Sequence, residues 1–199
     1  MTKTPEQRKE IIEERIKKIR KDKEFFESDI SVERSEVYNE FLMEINETGS
    51  VRSETLLIFT FIESILKDII SLQLESKTAR RISRDRIVEI LEENEILNCY
   101  IGADIRKVFD IRDLYGHNLK KTVIEKEINN IINSMFTTEY LKDEFAENPK
   151  AKNFDERDLG IQLSDIGMKL INELQKVYTS VWLDSAFKKK NTLANVAKS

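Results

Sequence analysis

From Thr4 to Trp182, apolar residues recur at intervals of three and four, the spacing that lines one face of an α-helix. Little interrupts the pattern, because the 199 residues include only five glycines and two prolines. So few chain-turning residues exclude a turn-rich β sandwich or barrel, and no two β-like runs flank a hairpin turn. The expected fold is an all-α bundle of about five to seven helices. Hydrophobic residues make up 40% of the chain, enough for a core, and charged residues 35%, which implies an unusually charged surface.

Thr4 and Pro5 open a first helix, with Ile12, Ile16, Ile19, Lys23 and Phe26 along one stripe and an end near Asp29. A second is expected from Ser31, with Val37, Phe41 and Ile45 spaced by four, stopping near Gly49. Ser53 reads as the cap of a long third helix. Its apolar positions (Leu56, Phe59, Ile62, Leu66, Ile69, Ile70) wrap widely, which places it at the centre of the bundle. Ser83 reads as the cap of a fourth helix carrying Ile87, Ile90 and Leu91. Residues 98–102 read as a connection, and a fifth helix is expected near Asp104 with Ile105, Val108 and Phe109 inward. Val123, Ile128, Ile131, Ile132 and Met135 continue the helical spacing, and 137–148 form a short helix. A long polar loop is expected over 149–163, then a last helix capped by Ser164, with Ile166, Leu170, Leu174, Val177, Val181 and Trp182 inward. Residues 1–187 thus read as one domain. Lys188-Lys189-Lys190 opens a flexible tail over 188–199.

The composition removes several function classes. A formal net charge of −4 argues against nucleic-acid binding driven by net charge, but leaves room for a local basic site. One cysteine excludes an internal disulfide framework and a CxxC metal site; one histidine excludes HExxH and His-rich zinc sites. No metal or cofactor is expected. Residues 1–25 are charged and lack an apolar export segment. The apolar stretch 56–74 is broken by Thr60, Glu63, Ser64, Lys67, Asp68, Ser71 and Gln73, which fits a core helix rather than a membrane span. With a free thiol, these features point to a cytoplasmic protein and no membrane partner. Glycine-rich phosphate loops and a GxSxG elbow are absent. Cys99 lies eighteen positions from the single histidine and reads as a buried structural thiol. The neighbouring carboxylates Glu92–Glu93 and Asp143–Glu144 diverge on a helix and read as solvated surface.

What remains is His117, the side chain whose ordinary pKa lies near neutral pH, within Arg112-Asp113-Leu114-Tyr115-Gly116-His117-Asn118. On a helix Asp113 and His117 are i,i+4 neighbours, so the carboxylate can orient the imidazole and favour its protonated form. Arg112 lies about 140° round the helix from His117 at roughly 100° per residue. Its fork suits a phosphodiester oxygen. An arginine that binds phosphate and a histidine that takes a proton from a ribose 2′-OH are a minimal apparatus for cutting RNA without a metal. Asn118 reads as a substrate-positioning or ordinary polar residue. Tyr115 reads as a packing or interface residue, or a surface for stacking bases. Arg106, Lys107, Lys120 and Lys121 make the surroundings basic and are candidate RNA contacts; Arg80, Arg81, Arg84 and Arg86 form a second basic cluster. For both groups, solvated helix surface is the competing reading.

The segment Arg112 to His117 resembles the Arg-x4–6-His motif of HEPN domains (higher eukaryotes and prokaryotes nucleotide-binding), in which a polar residue commonly follows the arginine, as Asp113 does. The order of a long apolar helix, a short helix and then the motif is also similar, over about residues 53–125. The resemblance implies a HEPN-like helical bundle and a metal-independent endoribonuclease, with Arg112 and His117 catalytic. It also implies a homodimer whose two motifs form one composite RNA site. Such proteins act in toxin–antitoxin pairs, with an antitoxin or regulatory protein as partner, and in antiviral defence. One departure is Leu119, where family toxins modified by nucleotidyltransferases often carry a tyrosine. The alternative is a non-catalytic HEPN-like module that binds RNA or a protein.

Overall fold

In a computed structural model, residues 20, 29–47, 50–74, 82–117, 121–148 and 152–196 are described, without the side chains of 29–32, 46, 74, 117, 121–123 and 187–196. They form an all-α bundle, with no strand among them. In chain order the helices are α1 (Asp29–Glu47), α2 (Val51–Leu74), α3 (Arg84–Glu93), α4 (Cys99–His117), α5 (Lys121–Ile132), α6 (Phe136–Ala146) and α7 (Leu159–Val196). A single 3-10 turn, Phe154–Glu156, precedes α7. None of the described helices is long and apolar enough to cross a membrane. The helix expected over residues 4–29 lies outside the described residues, Arg20 excepted.

Two units divide the chain: Glu44–Trp182, and the described residues up to Met43 together with those from Leu183 onward. In the second of these, Phe41 is buried beside Tyr38, with ring centroids 6.2 Å apart. Val37, expected on the same stripe, is 42% exposed. In this unit α7 continues to Val196, past the boundary expected for a tail at Lys188.

Within Glu44–Trp182, α2 is the central element, as its wide apolar face implies. Ile58, Phe59, Ile62, Ile65, Leu66, Ile69 and Ile70 are all fully buried. Helix α2 packs on α3 and α4, and α4 also packs on α5 and α6. A second seam joins α2 to α7. A Cβ at Gly160 would stand 2.7 Å from Val51, and one at Gly167 would collide with Ile58. Both pairs are one heptad apart in the same chain direction, so the two helices run parallel and approach closely where side chains are missing.

Several helix starts differ from the sequence expectation, for local reasons. Ser50, not Ser53, caps α2: its Oγ accepts from the Ser53 amide at 3.2 Å. Helix α4 begins at Cys99, within the expected connection, because Asn98 supplies the cap. Its Oδ1 accepts from the Tyr100 amide at 2.9 Å. Cys99 is consequently exposed at the helix start and is not a buried thiol. Helix α7 starts at Leu159, with the Asp158 carbonyl accepting from the Gln162 amide at 3.0 Å, so Ser164 is an interior helical residue rather than a cap. The expected loop is correspondingly shorter.

Candidate functional site

The motif occupies the C-terminal third of α4. Arg112 projects toward α2, where its Nη1 donates to Glu63 Oε2 at 2.9 Å. Glu63 also accepts from Lys67 Nζ, one turn further along α2, at 2.6 Å. Among the described residues, Glu63 is the one partner of Arg112, whose side chain stays 33% exposed. One guanidinium nitrogen is therefore fixed while the rest of the fork can meet a ligand. Burial alone would raise the Glu63 carboxyl. The hydrogen bond from Lys67 and the charges of Lys67, Arg112 and Arg84 outweigh it and hold the carboxyl below its ordinary value.

Asp113, the next residue, faces a different helix. It accepts a hydrogen bond from Arg84 at the start of α3, and the Arg84 guanidinium lies 4.9 Å from the centre of the Phe109 ring. Consecutive residues of α4 are thus tied to α2 and to α3, as the roughly 100° step between them requires. Asp110, one turn before, is exposed. Partial desolvation and the charges of Asp113 and Asp85 hold its carboxyl above the usual range, against the pull of Arg84.

Tyr115 is buried at 9% exposure, which suits packing better than stacking of bases. Burial, with the Glu125 charge, raises its phenol against the opposing effect of Arg52. Gly116 is exposed, and among the described residues nothing lies within 4 Å of where its Cβ would be. His117 is the last residue of α4; its side chain, and so the expected Asp113–His117 pair, lies outside the described residues. Asn118, Lys120 and the Lys121 side chain lie outside them as well.

The remaining described candidates for RNA contact are engaged within the fold, and Arg80 and Arg81 lie outside the described residues. Arg106 forks onto Glu92 of α3, with Nη1 3.1 Å from Oε1. Lys107 donates to the Ser134 carbonyl and lies 3.8 Å from Asp104. Arg86 pairs with Glu89 and Glu93. The structure therefore brings Arg112 together with Glu63 and Lys67, which the sequence reading did not single out. Their sequence signal is local only: an acid and a base spaced i,i+4 in the middle of the most apolar helix, with nothing that links them to Arg112. Among the described residues no group of three His, Cys, Asp or Glu side chains converges to hold a metal ion.

Compared with protein-family models, curated proteins and solved structures, the chain matches none of them.

Proposed function

We propose that this chain is a metal-independent endoribonuclease of HEPN type, with Arg112 as phosphate clamp and His117 as proton-transfer group. One observation carries the reading. A partly exposed arginine, held through a single nitrogen by Glu63, sits five residues before the chain's one histidine on the same helix. In the reaction the histidine takes the proton of a ribose 2′-OH, and the oxygen attacks the adjacent phosphorus. The P–O5′ bond breaks and the leaving 5′-oxygen takes a proton from water, giving a 2′,3′-cyclic phosphate and a 5′-hydroxyl, while the hydroxide so formed takes back the proton held by the histidine. Arg112 would stabilise the charge developing on the non-bridging oxygens, and Glu63 would keep its guanidinium in one orientation. A homodimer would bring two such motifs around one RNA, and a toxin–antitoxin or antiviral role would suit the activity.

A second reading has its own support. Arg112 and Asp113 are each engaged by a neighbouring helix, as in a bundle that uses the motif for packing and binds RNA or a protein without cutting it.

Incubation of a mixed structured and unstructured RNA pool in EDTA separates the two. Wild type, Arg112→Ala and His117→Ala would be compared after sizing. Cleavage by wild type alone, with cyclic phosphate ends, is the expected result. No cleavage by a well-folded wild type favours the binding module, and equal cleavage by all three defeats the motif assignment.

A further inference from the structure

Three of the four glycines with described surroundings have a reason inside the chain. A Cβ at Gly102 would collide with Glu92, which is held there by Arg106. Gly160 and Gly167 admit Val51 and Ile58. Among the described residues Gly116 has no such reason. It sits in the last turn of α4, is exposed, and has open space around it among the described residues. Its φ is not positive, so it is not serving as a left-handed cap. Glycine in that conformation costs helix stability relative to alanine.

Its position gives the missing reason. Gly116 follows Arg112 by four residues, so the two share one face of α4, one turn apart. Helical side chains lean toward the N-terminus, so a side chain at 116 would lie back over the turn that carries Arg112. Its absence uncovers the surface beside a cation with unused donors, immediately before His117. A cation fits an anion, and a bare helix backbone fits a chain that must come close. Resting on the ribonuclease reading above, we infer that Gly116 is a close-approach position: the sugar-phosphate backbone of the RNA lies against α4 there, between Arg112 and His117.

The test compares wild type, Gly116→Ala and Gly116→Leu in three measurements: thermal melting, steady-state cleavage of a short RNA, and binding of the same RNA with 2′-O-methyl groups so that it cannot be cut. Both variants should melt at or above the wild-type temperature. Alanine should raise KM and the Kd of the uncleavable RNA about fivefold, and leucine about twentyfold or more, with sizing unchanged. Wild-type KM and Kd in both variants would overturn the inference and leave Gly116 as a merely suboptimal helix residue. Loss of an oligomer in the variants would also overturn it, by showing that the bare face meets another copy of the chain. A wild type that binds but does not cut, with binding weakened by leucine, would keep this inference and defeat the cleavage reading. A wild type that neither binds nor cuts would defeat both.

Discussion

In the N-terminal half of α4 the charged side chains Asp104 and Arg106 are held by several hydrogen bonds within the fold; near the C-terminal end Arg112 is held, among the described residues, through a single nitrogen. Asp104 is fully buried and accepts three hydrogen bonds from the start of α6: the Phe136 amide at 3.1 Å, the Thr137 amide at 2.6 Å and the Thr137 hydroxyl at 2.7 Å. It does so because the residue in the cap position of α6 is Met135, which makes no side-chain cap bond. Arg106 is forked onto Glu92 in the same half of the helix. Two turns beyond Asp104 the pattern changes. Among the described residues Arg112 has one engaged nitrogen and Gly116 has none of the contacts that explain the other glycines, and α4 ends on a titratable ring. One helix thus carries a structural end and an end with chemical capacity to spare.

The largest effect should come from exchanging damage between these ends. Asp104→Ala strands two partly buried amides and a hydroxyl at the start of α6, leaves a hole where a fully buried side chain stood, and is expected to cost about 3 kcal/mol. Arg112→Ala breaks a partly exposed ion pair and should cost under about 1 kcal/mol. Urea unfolding at equal m-value measures both. If the proposed function holds, cleavage by folded protein reverses the order, with Arg112→Ala losing about a hundredfold or more and Asp104→Ala little. Similar stability losses in the two variants would erase the distinction.

A pH titration sharpens the contrast at the Glu63 side of the site. A carboxylate held below its ordinary value stabilises the fold above that value, 4.5 for glutamate, and loses the contribution as pH falls through its folded pKa. Wild type should therefore be more stable than Glu63→Gln near neutral pH, with the gap closing below that value. Asp110 and Asp165, held above the usual range, act in the opposite sense but are present in both proteins. A gap that stays constant from neutral to acid pH would show that Glu63 does not carry the charge coupling.

Most of the bundle was legible because periodicity reports burial directly. The α2 positions Phe59, Ile62, Leu66, Ile69 and Ile70, and Ile105, Val108 and Phe109 of α4, are buried as their spacing implies. Caps were less legible, because residue type shows that a side chain can cap but not which helix it serves. Helix α4 was expected to start near Asp104; Asp104 instead caps α6, across 32 residues of sequence, while Asn98 starts α4. The motif was visible as a local pattern. Its partners were not, since Glu63 lies 49 residues before Arg112, and as sequence it reads only as a polar break in a greasy stretch. Long-range charge pairing leaves no period to detect.

The smallest effect is expected just before α4, where the fold tolerates a local cost. Glu95 has φ 55°, the left-handed region, between α3 and α4. It occupies the position after the cap in a Schellman arrangement. Its amide donates to the Glu92 carbonyl and the Ile96 amide to the Leu91 carbonyl, both at 2.9 Å. Glycine is the residue that usually takes this place, because it lacks the Cβ that crowds the carbonyl. Glu95→Gly should therefore stabilise the protein by about 0.5–1 kcal/mol, the relief of strain exceeding the added freedom of the unfolded chain. It should leave cleavage untouched, because the turn lies at the structural end of α4. An unfolding midpoint at or below that of wild type would mean that Glu95 contributes something beyond its backbone. A change in cleavage would mean that the two ends of α4 are coupled, and the division between them would have to be redrawn.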